Sequence, residues 1–133
     1  MKFKFFLLII IFLMLSSCSK TDDRLDGLYV LEILEEFGHA FYAERLNLYQ
    51  ELQFKKNTFK EYSKHYNDQE FNTEYKIKII LTNDNGGLFY SINSFAPDSY
   101  FNDPTKRKIY TYTFVSNELL LEYDNKKEIY IRK

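Results

Sequence analysis

The chain has 133 residues, a formal net charge of −1 and 45% hydrophobic side chains, which suits one ordinary domain with its own core. A near-neutral balance speaks against a nucleic-acid binder, which would show a basic face, and a single cysteine excludes a disulfide framework. Aromatics make up 19% of the residues, all of them Tyr or Phe, and these favour strands; four glycines and two prolines leave no linker to split the domain.

The chain opens on a secretory signal pattern. Lys2 and Lys4 form a short basic region, residues 5–15 are an unbroken apolar run, and the small residues Ser16 and Ser17 follow. The run is shorter than the ~20 apolar residues a membrane span needs. Leu15-Ser16-Ser17-Cys18 resembles the lipobox of bacterial lipoproteins. That resemblance implies cleavage after Ser17 and a diacylglyceryl thioether on Cys18, so that the membrane becomes a partner through lipid, two or three acyl chains anchoring it durably. In "SKTDD", Lys20 followed by Asp22 and Asp23 resembles the surface-export signal of Bacteroidetes lipoproteins; the alternative is a solvated linker. The expected organisation is a signal peptide over 1–17, a lipidated flexible tether over 18–26, and one β domain over 27–133. The expected address is the cell envelope, at the outer membrane, with surface exposure if the export signal operates.

From Gly27 onward, short β-prone runs alternate with turn residues. They span 28–35, 46–54, 58–66, 71–81, 88–95, 108–115, 119–124 and 127–132. The clearest is "FNTEYKIKII", where Phe71, Thr73, Tyr75, Ile77 and Ile79 alternate with Asn72, Glu74, Lys76 and Lys78, a pattern that marks one dry face. "LTNDNGGLF", "FKKNTF" and "VSNELL" supply hairpin turns. Eight strands joined mostly by hairpins predict an up-and-down antiparallel barrel, whose interior side chains fill or which holds one small ligand. A six-to-eight-stranded sandwich is the rival.

"LDGLYVLEIL" resembles the lipocalin opening of glycine, any residue, tryptophan, with Tyr29 in the tryptophan's place. "LNLYQELQFKKNTFKEY" and "NELLLEYDNKKEIYIRK" are similar to the small lipocalin-like domains of bacterial lipoproteins. The resemblance covers residues 24–133 and departs from the family in lacking the tryptophan and a helix after the last strand. It implies a lipocalin-like barrel closed at its base by a basic residue of the final strand, here Arg132 across Tyr29. The alternative for Arg132 is a solvated C-terminal side chain.

Catalytic constellations are scarce. His39 and His65 are far apart, no HExxH spacing, nucleophile elbow or phosphate loop occurs, and neither a metal site, a cofactor nor an enzymatic activity is expected. Two registers are open for residues 58–66. With Phe59 inward, Glu61, Ser63 and His65 would line the barrel wall; with Tyr62 and Tyr66 inward, those three would lie in water, and this second register is the expected one. Residues 36–45 and 96–107 form long connections at the end opposite the short turns. They carry Phe41, Tyr42, Tyr100 and Phe101, which are the candidate contacts for a ligand or partner. The expected function is a lipid-anchored, lipocalin-like protein binding a small apolar ligand. Its alternative is a protein-interaction subunit of an envelope assembly with a filled barrel.

Overall fold

A computed structural model describes residues 20–133; the signal segment and Cys18 lie outside the described residues. Nine strands follow one another: β1 (Gly27–Glu36), β2 (His39–Tyr42), β3 (Tyr49–Lys55), β4 (Thr58–Lys64), β5 (Glu70–Asn83), β6 (Gly86–Asn93), β7 (Lys108–Val115), β8 (Glu118–Tyr123) and β9 (Lys126–Arg132). Each pairs antiparallel with its neighbour in the order β2-β1-β3-β4-β5-β6-β7-β8-β9, and β9 returns to β1 from Tyr29↔Arg132 to Glu36↔Lys126. Eight strands, β1 and β3 to β9, therefore close an up-and-down barrel. The β1–β9 pairing rules out the sandwich, because closure joins the first and last strands that a sandwich would leave apart.

The extra strand, β2, comes from the segment expected to be a loop. Phe37 and Gly38 both take positive φ (52° and 77°), the geometry of a tight hairpin turn. The chain then runs back along the upper half of β1, Ile33↔Tyr42 to Glu36↔His39. β3 pairs with the lower half, Gly27↔Phe54 to Val30↔Glu51. Between them a 3₁₀ turn over Ala43–Leu46 ends on Asn47 at φ 51°, and so β3 starts at Tyr49, three residues later than the apolar pattern predicts. Four residues of β2 are too few for alternation to register in the sequence.

The lower half of the barrel is packed with aromatic rings. Phe59 stacks on Phe54 at 5.0 Å and on Tyr75 at 4.7 Å; Phe89 stacks on Tyr110 at 4.9 Å; Tyr29 meets Phe54 edge-on at 5.8 Å. This packing corrects the expected register of β4. Phe59 faces inward, opposite Phe54 on one side and Tyr75 on the other, and period-two geometry carries Glu61 and Ser63 inward with it. Tyr62 lies outside against Tyr49, and its hydroxyl donates to Glu70 at 3.1 Å. Tyr66 and His65 fall beyond the strand and are exposed. Burying one phenylalanine among four aromatic neighbours outweighs turning inward a half-buried Glu61 and the small, buried Ser63.

The segment expected to be a flexible tether is folded from Asp22 onward, a second correction. Asp22 caps the 3₁₀ turn Asp23–Leu25 through the Arg24 amide. Leu25 is buried in the main core, and the Tyr29 hydroxyl donates to its carbonyl at 2.9 Å. This plug closes the barrel end that carries the short turns β3–β4, β5–β6 and β7–β8. We call that end the base. The β1–β2, β4–β5, β6–β7 and β8–β9 connections crown the other end, the mouth, and both long connections belong to it.

Candidate functional site at the barrel mouth

Above the aromatic layer the inner face turns polar. Gln50 on β3, Glu61 and Ser63 on β4, Thr73 and Tyr75 on β5, Ser91 on β6, Tyr110 on β7, Tyr123 on β8 and Glu128 on β9 follow the same inward alternation as the rings beneath them. Gln50, Glu61, Thr73, Tyr75 and Tyr123 are only partly buried although they point into the barrel. Tyr29, Phe54, Phe59, Phe89, Tyr112 and Leu119 below them are fully buried. The barrel is thus a cup, sealed at the base and reached by solvent from the mouth down to Glu61 and Tyr75.

Two carboxylates lie deep in this cup, below Glu36 at the rim, and differ in their surroundings. Glu128, 3% exposed, accepts hydrogen bonds from Tyr123, from Tyr130 and from Gln50 Nε2, the last at 3.1 Å. Gln50 also donates to the Tyr130 hydroxyl at 2.6 Å, so this buried acid is held in a satisfied network. Glu61 stands across from it. Burial pushes the Glu61 carboxyl above the ordinary carboxylate range and the charge of Glu128 adds to that, while Lys108, the Tyr75 phenol and Lys126 pull the other way. Burial raises the Tyr110, Tyr123 and Tyr130 phenols as well, with Glu61 and Glu128 both contributing. These rings remain protonated hydrogen-bond donors at neutral pH.

The sequence-predicted residues separate around this cup. Phe41 pairs with Leu34, which in turn faces Glu128, and so Phe41 sits on the inner side of the β1–β2 ribbon; Tyr42 pairs with Ile33 on the outer side. Tyr100 and Phe101 lie in the 3₁₀ turn Asp98–Asn102, four strands around the barrel from β1. Their connection folds down over the outer wall. Lys76 Nζ donates to the Ala96 carbonyl at 2.6 Å and pairs with Asp98 at 2.7 Å. Arg107 reaches the Phe101 carbonyl at 2.9 Å and lies 3.9 Å over the Tyr90 ring. Ile92, on the outer face of β6, is consequently buried. The four aromatics share one end of the barrel without converging on one point.

At the base, the Arg132 guanidinium lies 5.7 Å from the Tyr29 ring centroid, and Arg132 and Tyr29 are direct partners across the β1–β9 seam. Among the described residues, no group of three His, Cys, Asp or Glu side chains is placed to hold a metal ion. His39 lies beside Phe41 on β2 and His65 beside Phe71 at the β4–β5 turn, in separate stretches of the rim. The sequence offered Glu61 as a wall residue only in the less favoured register, and sequence reasoning missed the Glu128 network. The signal for Glu61 was its two-residue offset from Phe59; Glu128, in "KKEIYIRK", carried no signal apart from its alternation with Tyr130.

No protein-family model matches the chain, and neither does any curated protein sequence. Solved structures do match in fold. A lipocalin-like protein from Bacteroides uniformis superposes with a TM-score of 0.58 at 16% identity, over 82% of this chain and 98% of that one. An uncharacterized protein from Bacteroides eggerthii superposes with a TM-score of 0.54 at 13% identity, over 81% of this chain and 98% of that one. The chain carries a closed, eight-stranded, lipocalin-like barrel with one added strand.

Proposed function

We propose that this protein is a lipid-anchored binding protein of the bacterial cell envelope, not a catalyst, and that it holds one small, largely apolar ligand in the open half of its barrel. One observation carries the binding reading: the barrel is sealed at one end by residues 22–25 and keeps inward-facing side chains accessible at the other. A closed wall with a single entrance is where small molecules are buried. The anchoring half of the proposal rests on the lipobox-like sequence Leu15–Cys18 after an apolar run. Because the chain is packed from Asp22, only three residues separate Cys18 from the plug. An extended chain of that length spans roughly 10–14 Å, which holds the base near the membrane and turns the mouth away from it.

Mass spectrometry of the protein purified from native membranes tests both halves. The expected spectrum shows acyl chains on Cys18 and a small molecule released on denaturation, and Cys18→Ala accumulates as unprocessed or mislocalised chain. A Cys18→Ala protein that fractionates with the membrane as the same mature species overturns the anchor. An empty barrel that binds none of a panel of small amphiphiles overturns the ligand.

A second reading, a protein-interaction subunit, is favoured by the turn tips. Phe37, Tyr66 and Phe95, each in a different mouth connection, are 81%, 78% and 96% exposed, and Phe37 holds a backbone conformation that bulky residues rarely adopt. Retention of an envelope partner by wild type and its loss on replacing all three tips with serine would support this reading over the first.

A further inference from the structure

Charge in the cup is layered. The lysine heads lie at the rim: Lys126 is the first residue of β9, and Lys108 Nζ is 3.8 Å from Asp124 in the β8–β9 turn. The carboxylates lie deeper. Glu61 is one inward step above Phe59, whose ring floors the cup, and it senses Glu128, Lys108 and Lys126 around it. Tyr75, Tyr110, Tyr123 and Tyr130 all face Glu61 closely enough to feel its charge. One side of the inner face is apolar from the level of Glu128 upward, with Leu34 directly across from Glu128, Phe41 beside Leu34, and Phe71 beside Ser63, while Glu36, Lys108 and Lys126 share the rim.

Such layering discriminates between head groups. A fatty-acid carboxylate entering head-first would pass Lys108 and Lys126 at the rim and then meet two acids inside a poorly solvated wall, where like charges repel strongly. A neutral head would displace water from Glu61 and leave its charge less solvated. An ammonium group does the opposite. It replaces the lost water with an ion pair, and the neighbouring phenol faces add cation–π attraction.

We infer that the cup selects cationic amphiphiles: an organic ammonium head pairs with Glu61 between the rings of Tyr75 and Tyr110, and its apolar tail leads out past Leu34, Phe41 and Phe71. This assignment rests on the reading of the cup as a ligand site and adds the ligand's charge and orientation to it. Glu61 is the specificity-determining residue. The raised carboxyl fits that role, because an incoming ammonium would restore its ionised form and binding near the midpoint of its titration would release a proton.

Three probes with one tail and different heads decide the matter: octylammonium, octanol and octanoate, titrated below their aggregation limits into the purified protein. The chain has no tryptophan and 12 tyrosines, so tyrosine emission can follow binding alongside calorimetry. At pH 7 octylammonium should bind at least about tenfold more tightly than octanoate, and Glu61→Gln should weaken octylammonium by about tenfold while leaving octanol within about twofold, the scale of one lost charge-assisted contact. Lowering the pH should erase the advantage of octylammonium over octanol in the wild type, a readout that needs no variant. Octanoate binding as tightly as octylammonium, or an ammonium preference surviving in Glu61→Gln, overturns the cationic assignment and leaves a ligand-binding barrel standing. Failure of all three probes to bind overturns both.

Discussion

Tyr112 and Asp22, 90 positions apart in the chain, meet through a 2.7 Å hydrogen bond inside the base of the barrel. Arg24 grips the same carboxylate with two further bonds, 2.9 Å from Nε and 2.7 Å from Nη2, and its guanidinium reaches on to the carbonyls of Asn83, Asp84 and Gly86. Asp22 thereby ties the N-terminal plug to β7, and Arg24 ties it to the β5–β6 turn. The chain is a structural part of the barrel from Asp22 onward.

Removing that carboxylate should therefore loosen the base. Asp22→Ala strands the Tyr112 hydroxyl and should cost about 2 kcal/mol in urea melts at pH 7. The bonds from Arg24, opposed by burial and helped by Tyr112, hold the Asp22 carboxyl below its ordinary 3.8. A depressed folded value means that the stabilisation is fully present above the ordinary value and disappears as pH falls through the folded one. The gap between wild type and Asp22→Ala should accordingly shrink in acid below pH 3.8. A gap that stays constant into strong acid would show that the charge of Asp22 contributes nothing.

Gly86 and Gly38 should respond very differently to alanine. A Cβ at Gly86 would lie 1.9 Å from the Tyr112 carbonyl oxygen and 2.9 Å from the Thr113 Cα, and both of these are backbone. The β6–β7 ladder would have to separate, so Gly86→Ala should cost about 3 kcal/mol or more. At Gly38 no atom lies within 4 Å and only the φ of +77° opposes a side chain, which should cost about 1–2 kcal/mol. Comparable losses for the two variants in denaturant melts would contradict the close approach at Gly86.

Tyr29 and Leu28 test the seam. The Tyr29 ring is buried between Phe54 and the Arg132 guanidinium, whereas Leu28 points outward and is half-buried. Tyr29→Ala should cost about 3–5 kcal/mol, the range of large aromatic truncations, and Leu28→Ala clearly less. Equal midpoints in guanidinium would place both side chains in similar surroundings and count against this register.

Glu61 should be a stability liability at neutral pH. Burial, with help from Glu128, raises its folded carboxyl above the ordinary 4.5. The sign follows from linkage: relative to the unfolded chain, the protonated form is favoured in the fold, so stability is greatest below the ordinary value and is lost as pH rises through the folded one. Glu61→Gln mimics the protonated state. It should melt higher than wild type at pH 7, and the difference should close as pH falls below 4.5. A wild type more stable than Glu61→Gln at pH 7 would show that Glu61 is a structural ion-pair partner and no liability.

Phe41 and Phe101 should separate binding from folding. Phe41 lies 45% exposed at the inner rim, so Phe41→Ser should weaken ligand binding and leave the thermal midpoint nearly unchanged. Phe101 belongs to the flap over the outer wall of β6, and Phe101→Ser should lower the midpoint without changing affinity. Parallel effects of the two variants on calorimetric binding would return both to one contact surface.

Local periodicity determined a great deal here. Alternation in "FNTEYKIKII" placed Tyr75, Ile77 and Ile79 on one face, and residues 108–115 formed a strand over the same bounds that their pattern predicts. Eight such runs with hairpin turns were enough to favour an up-and-down barrel, because strand number and short connections leave few ways to bury one face of each strand, and the β1–β9 pairing decided it against a sandwich. Tyr29 was legible as a buried opening residue from its place in "LDGLYVLEIL". The tertiary structure decided the remainder, through contacts between residues far apart in sequence. Phe59 could turn inward only because Phe54, Tyr75 and Phe89 were there to receive it, and that choice, invisible within residues 58–66, carried Glu61 into the cup. Asp22 reads as the end of a solvated tether until Tyr112 is brought beside it. Glu128 can be buried only where Gln50, Tyr123 and Tyr130 converge from three strands to satisfy its oxygens. Period-two patterning reports which face is dry, but the free energy of a buried polar group depends on partners that only closure of the barrel supplies.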